Sequence, residues 1–155
     1  MAVANDPNEV KGTDLTLCLL YVDDQLPIEG MTRFEKLVFL TKEEVLKKGK
    51  EEVPEFTFEP DRFGPLAVEL YDELDFLKSS GLVSPTPQNG FAITESGKRY
   101  FESKVKARIS PKIVEKIEQL KERWAKQDLS DLLRYVYQKY PDYTVNSEIR
   151  DKILS

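Results

Sequence analysis

Apolar residues recur at helical spacing along most of the chain, and they alternate with polar residues, as in a strand, only over residues 56–59. Two helices are predicted before this strand, over residues 14–25 and 31–47. A third helix is predicted to begin at Pro65, because Gly64 permits an unusual backbone conformation and proline suits the first helical position.

The stretch between the strand and the third helix is predicted to be a structural hinge, formed by Arg62, Phe63, Gly64 and Pro65. The third helix is expected to end where Gly81 supplies a left-handed C′ residue. Two short strands follow, at 82–83 and 91–93, joined by a proline-containing turn. This order of strand, hinge, helix and hairpin is that of the second half of a winged helix.

Helices are also predicted for the rest of the chain. A short capped helix spans 94–103, and a long one starts at Pro111, directly after Ser110. Apolar residues of the long helix form a single seam on a charged surface, which either docks on the domain's own core or forms a homodimer interface. A further helix is expected to end at Pro141, and a last short one is predicted over 149–154.

Together these elements predict an α+β fold that is mostly helical. It has a winged-helix-like core over residues 28–101 with a small antiparallel sheet, and a C-terminal helical part over 110–155. Residues 1–13 lack apolar periodicity and are predicted to be a flexible leader. Residues 14–155 are predicted to form one domain, since 155 residues can bury a core without disulfides or metals.

The composition excludes several kinds of chemistry. The chain has no histidine, which removes the commonest general base and most zinc ligand sets. Its one cysteine, Cys18, lies in an apolar run and is predicted to be a buried hydrophobe. The seven glycines never adopt the spacing of a phosphate-binding loop. We therefore expect no enzymatic activity, no metal and no cofactor.

The N-terminus has no basic, apolar and cleavable pattern, and no apolar run approaches the roughly 18 residues of a membrane helix. A cytoplasmic protein without membrane contact is expected.

Two acidic patterns could still indicate metal chemistry. The run Tyr21-Val22-Asp23-Asp24 resembles the metal-binding hairpin of palm polymerases, but a charge pair at a helix end is the preferred interpretation. The pair Pro60-Asp61 upstream of Glu73 is similar to the acids of metal-dependent nucleases. No Glu-x-Lys strand follows it, so a nuclease is only the third hypothesis for function.

Charge is distributed unevenly, although the net charge is −5. The net charge is −9 over residues 1–80, +5 over residues 81–126 and −1 over residues 127–155. The third helix carries four acidic residues and only one basic residue, Lys78. The acids are Glu69, Asp72, Glu73 and Asp75. In a winged helix this element usually enters the DNA major groove, where carboxylates would oppose phosphate. They are therefore candidates for binding a protein partner.

The basic zone supplies candidate contacts to nucleic acid or to an acidic partner. These candidates are Lys104, Lys106, Arg108, Lys112 and Lys116. A solvated helix face is the alternative interpretation of the same charges, so DNA binding is expected to be weak.

Three short motifs occur in a fixed order, and a fourth lies near the C-terminus. They are Arg33-Phe34-Glu35-Lys36-Leu37-Val38-Phe39-Leu40, Phe56-Thr57-Phe58, Arg62-Phe63-Gly64-Pro65 ahead of Glu69-Leu70-Tyr71, and residues 132–141. The first three resemble the Panacea domain family over residues 28–101, and the fourth resembles its C-terminal helix. This family includes SocA-like antitoxins and YwgA-like proteins.

The resemblance implies a non-catalytic helical domain with a small sheet that acts as an antitoxin or adaptor through protein contacts. The leading hypothesis is accordingly a cytoplasmic protein-interaction and regulatory module with a protein partner. The alternative is a winged-helix transcriptional regulator that binds DNA as a dimer through the basic helix and the wing.

Overall fold

The structure is a computed structural model that describes residues 10–47, 59–61, 64–66 and 68–143. Some predictions concern residues outside this part of the chain. They are the leader before residue 10, the strand at 56–58, the helix over 149–154, and Arg62 and Phe63 of the hinge.

Helix α1 (Gly12–Gln25) lies at the centre of the fold. Every side chain from Asp14 to Leu20 is buried, as expected of a helix surrounded on all sides. The helix begins within the predicted leader, since Gly12 and Thr13 are its first residues. Its last turn departs from helical geometry at Val22, and the chain then passes through a left-handed turn.

Helix α2 (Met31–Leu40) continues without a break into a π-helical segment, Thr41–Leu46. All side chains from Phe34 to Thr41 are buried. The Thr41 hydroxyl donates to the Leu37 carbonyl at 2.8 Å, within the last turn of regular helix. The predicted second helix is therefore confirmed, with a wider turn near its end.

Strands β1 (Glu59–Asp61) and β2 (Gly64–Leu66) form an antiparallel pair. The predicted hinge at Gly64 and Pro65 is therefore wrong, because both residues belong to a strand rather than to the start of a helix. The register explains how a strand accepts proline here. Pro60 lies directly opposite Pro65 in a sheet of two strands, where both strands are edges and a missing N–H donor costs the ladder least.

Helix α3 (Val68–Ser79) begins three residues after the predicted start at Pro65. Its end follows the prediction, since Gly81 has a φ of 77°. The N–H of Leu82 donates to the Leu77 carbonyl at 2.9 Å, and that of Gly81 donates to Lys78 at 3.0 Å. This pair of bonds is the Schellman arrangement that satisfies the last carbonyls of a helix.

The predicted wing is confirmed as an antiparallel pair of strands, β3 (Val83–Pro85) and β4 (Phe91–Ile93). Ile28 forms an isolated bridge to Phe91, so the segment before α2 lies along the outer edge of β4. A Cβ on Gly90 would lie 2.1 Å from the Ile28 carbonyl oxygen. Only glycine allows this close approach.

The C-terminal helices also follow the prediction. They are α4 (Glu95–Tyr100) with its π-helical continuation Phe101–Val105, α5 (Pro111–Trp124) and α6 (Leu129–Lys139), followed by a 3₁₀ turn, Pro141–Tyr143. The Thr94 side chain caps α4, and the Ser110 side chain caps α5. The apolar seam of α5 packs on α1 and is buried within the chain itself, so it is not a dimer interface.

The buried apolar residues form one cluster that extends from Leu15 on α1 to Tyr137 on α6. It contains Leu70 and Leu74 of α3 together with the predicted partners on α2, namely Phe34, Leu37 and Leu40. The predicted core is thus confirmed for these residues, whereas Phe56, Phe58 and Phe63 lie outside the described part. The fold is α+β and mostly helical, with small antiparallel strand pairs.

In the described ranges, no helix combines the length and the apolar character needed to cross a bilayer.

Candidate functional site

Helix α3 presents acidic and aromatic side chains on one exposed face. Leu70, Leu74 and Leu77 are buried in the core, which fixes the orientation of the helix. On another side, Glu69, Asp72, Glu73 and Phe76 follow the i, i+3, i+4, i+7 spacing that places residues on one helix face. We call this set the α3 stripe.

The four members of the α3 stripe differ in exposure. Phe76 is 60% exposed and Asp72 is exposed, whereas Glu69 and Glu73 are partly buried. Asp75, the remaining candidate carboxylate of α3, is exposed outside the stripe. A large aromatic side chain is therefore held in solvent with carboxylates beside it.

Glu73 is a half-buried carboxyl of the α3 stripe that lies near other negative charges. Burial raises its pKa, and the negative charges of Asp14, Asp72 and Glu69 raise it further. A carboxylate surrounded in this way gains more from an incoming cation than a fully hydrated one would. The electrostatics of the α3 stripe thus favour a positively charged partner.

A part-buried polar contact holds the side of α3 opposite the stripe. The Tyr71 hydroxyl donates a hydrogen bond to the carboxylate of Glu35 on α2. The other oxygen of Glu35 lies 3.3 Å from the Lys36 ammonium, and both of these charged side chains are buried. Tyr71 as a whole is 41% exposed, so this contact lies at the edge of the core.

The basic candidates do not form a uniform surface. Lys104, Lys106 and Lys112 are exposed, and Lys116 is partly buried. The Lys106 ammonium lies 5.6 Å from the centre of the Tyr21 ring. Arg108 is engaged within the chain, so it is not available as a phosphate contact in the way the sequence suggested.

Arg108 forms a two-pronged ion pair with Asp14, at 3.0 Å from Nε to Oδ2 and 2.9 Å from Nη2 to Oδ1. These hydrogen bonds raise the pKa of the guanidinium. Asp14 is 1% exposed and would be costly to bury without this partner. The pair joins the start of α1 to the segment between α4 and α5.

A second buried cation, Lys121, was not foreseen as a structural residue. Its ammonium donates to the carbonyl oxygens of Val22 and Leu26, at 2.9 and 2.7 Å. Burial lowers its pKa to about 8, against the opposing effects of Asp23, Cys18 and Glu118. One sequence signal could have revealed it, because position 121 lies one turn beyond Ile117 on the apolar seam.

A third polar cluster surrounds Glu44 in the π-helical segment. Its Oε2 accepts hydrogen bonds from Tyr135 Oη at 2.6 Å, Tyr140 Oη at 2.9 Å and Lys139 Nζ at 2.8 Å. Burial alone would raise the pKa of Glu44, but these donors hold it below its ordinary value. Three donors on one carboxylate tie α6 to the end of the second helix.

Among the side chains that the structure describes, the acidic motifs form no metal centre. In the ranges that the structure covers, no group of three or more His, Cys, Asp and Glu side chains is placed to hold a metal ion. Asp23 and Asp24 lie at the end of α1 rather than on a hairpin, as the preferred interpretation stated. Cys18 is fully buried, and burial raises the pKa of its thiol to about 12.

Comparison with known proteins found no match among family models, curated proteins or solved structures. The resemblance to the Panacea domain therefore stays a prediction from the motif residues.

Proposed function

We propose that the chain is a non-catalytic protein-interaction and regulatory module of the antitoxin-like Panacea type, acting in the cytoplasm and binding a protein partner through α3. One observation carries the proposal. The helix that precedes the wing, which would enter the major groove in a DNA-binding winged helix, presents carboxylates and an exposed phenylalanine.

Electrostatics support a protein partner over DNA. Affinity for DNA comes largely from cations that neutralise phosphates. A carboxylate held at about 4 Å from a phosphate costs on the order of 1 kcal/mol even in bulk water. The wing offers no compensation, because the turn between β3 and β4 consists of Thr86, Pro87, Gln88, Asn89 and Gly90.

The exposed aromatic surface supports the same conclusion. Aromatic side chains are enriched in the centres of protein interfaces, where they bury a large area at little conformational cost. Phe76 is the most exposed of the large hydrophobic residues that the structure describes. Its neighbours Asp72 and Glu73 would supply charge recognition around it.

Co-purification from the native host tests the proposal. The bait is the full chain, compared with a variant that carries Asp72→Arg and Phe76→Ala. The matched control carries Glu122→Arg and Leu129→Ala, which change one exposed acid and one exposed apolar residue on other helices. We expect one protein to be recovered with the wild type and the control but lost with the α3 variant.

Recovery of the same protein by the α3 variant would remove α3 as the binding surface. Recovery of nucleic acid alone, with no stoichiometric protein, would replace the proposal with the DNA-binding alternative.

A further inference from the structure

The last three residues of α1, Asp23–Gln25, form a left-handed turn whose backbone conformation most side chains avoid. Asp23, Asp24 and Gln25 have φ angles of 58°, 57° and 55°, and none of them is glycine. Non-glycine residues enter the left-handed region as single residues and rarely in succession. Three consecutive residues in this region persist only where the surrounding structure holds them.

Two side chains of α5 hold this turn from outside. The carbonyls of Val22 and Leu26, which directly flank the three residues, both accept hydrogen bonds from the Lys121 ammonium. The carboxylate of Glu118 accepts a bond of 2.9 Å from the Asp23 N–H. One polar atom of the turn lacks a hydrogen bond, because the buried Oδ2 of Asp23 has no partner among the described residues.

The turn leads directly to the wing. Only Pro27, whose φ is fixed by its ring, separates Leu26 from Ile28. Ile28 exchanges two backbone hydrogen bonds with Phe91 of β4, each 3.0 Å long. The carboxylate of the next residue, Glu29, accepts a hydrogen bond from the hydroxyl of Thr86 in the wing turn. Leu26 therefore lies two residues from the backbone bridge to β4.

We propose that Lys121 is a positioning residue that holds residues 22–25 in one of two backbone states and thereby sets the position of the wing. In the held state the left-handed turn directs Ile28 onto β4. In the released state residues 22–25 continue the right-handed helix of α1, and Ile28 separates from Phe91. The lysine thus couples α5 to the wing, a property distinct from partner binding by α3.

Hydrogen exchange on the full chain tests this coupling. Lys121→Met removes the ammonium but keeps an apolar stem of similar length, and Lys126→Met is the control at an exposed lysine. In Lys121→Met, we expect the amides of Ile28 and Phe91 to exchange about tenfold faster than in the wild type, relative to the amides of α6. We expect no such change in the control. Equal acceleration of the wing and α6 would overturn the proposal.

A second pair of variants tests the two backbone states without touching Lys121. Asp24 is exposed, so its side chain can be changed with little effect on packing. Asp24→Gly favours the left-handed turn and disfavours the helix, whereas Asp24→Ala does the opposite. With Lys121 intact, we expect the first variant to slow exchange at Phe91 and the second to accelerate it.

The same two changes serve as second-site tests in Lys121→Met. There we expect Asp24→Gly to restore protection of Ile28 and Phe91, and Asp24→Ala to reduce it further. Identical effects of glycine and alanine on exchange would show that no helix–turn equilibrium exists at this position.

Discussion

At the scale of single residues, buried charge makes the stability of this fold depend on pH. Burial lowers the pKa of Lys121 from an ordinary 10.5 to about 8. Between these two values the unfolded chain binds more protons at this position than the folded chain does. The contribution of Lys121 to stability is therefore lowest below about pH 8, and it rises as the pH increases toward 10.5.

We expect Lys121→Met to remove this rise. Between about pH 7 and about pH 9, the free energy of unfolding of the wild type should increase relative to that of the variant by on the order of 1 kcal/mol. Urea unfolding of both proteins at each pH measures the difference. In the folded state the Cys18 thiol stays protonated across this window in both proteins, because burial raises its pKa to about 12 and loss of the Lys121 charge would raise it further, so its contribution cancels. Parallel pH profiles would show that Lys121 does not titrate in this window.

Substitution of Leu70 tests the orientation of α3. Its side chain is fully buried in the cluster that contains Phe34 and Leu37. We expect Leu70→Ala to lower the free energy of unfolding by about 2 to 5 kcal/mol, because the substitution leaves a cavity. Leu129→Ala, at an exposed apolar residue, should change it by less than about 0.5 kcal/mol. Similar denaturation midpoints for the two variants would contradict this orientation.

At the scale of elements, the end of α3 depends on one glycine. Gly81 has a φ of 77°, and its N–H and that of Leu82 close the two capping bonds. No heavy atom lies within 4 Å of a Cβ added at Gly81, so Gly81→Ala tests backbone conformation without a steric clash. We expect a cost of about 1 to 2 kcal/mol in thermal or chemical unfolding, against little change for Ser80→Ala. An alanine variant as stable as the wild type would contradict a conformational role for this glycine.

Element ends with local causes could be predicted from the sequence, and contacts between distant residues could not. Gly81, Thr94 and Ser110 act through hydrogen bonds to residues a few positions away, so their sequence context is sufficient. The pairing of Pro60 with Pro65 was missed because proline before a helix pattern also suits a helix start.

The buried ion pair and the turn held by Lys121 could not be predicted from the sequence for a different reason. Asp14 and Arg108 are 94 positions apart, and Lys121 is 99 positions from Val22. Such partners are brought together only by the packing of α1 against the C-terminal part of the chain. The acids of the α3 stripe were identified from their place on the helix before the predicted wing, but the exposure of Phe76 depends on which face the core covers.

For the whole molecule, the separation of charge distinguishes the two leading functions. Acidic α3 occupies the position that a DNA-binding winged helix gives to its recognition helix, and exposed cations lie on other elements, at Lys104, Lys106 and Lys112. A protein that binds DNA through this fold would have to use the cations and tolerate the carboxylates. A protein that binds a basic partner would use the carboxylates directly.

Neutralising the α3 carboxylates should therefore change the two interactions in opposite directions. In Glu69→Gln with Glu73→Gln, we expect non-specific DNA binding to strengthen, because two negative charges near the phosphates are lost. Binding of a basic protein partner should weaken, because the same two charges would attract it. Fluorescence anisotropy with a duplex measures the first effect across a salt series, and co-purification measures the second.

Changing Lys104, Lys106 and Lys112 to glutamine provides the complementary variant, since these lysines are exposed on other elements. It should reduce the slope of log K against log salt by about 0.9 for each phosphate contact removed. It should leave co-purification of a protein partner unchanged, because α3 is intact. If the α3 glutamine variant instead abolished nanomolar, sequence-specific DNA binding at physiological salt, the carboxylates would be reading bases. The DNA-binding regulator would then replace the interaction module as the function of this chain.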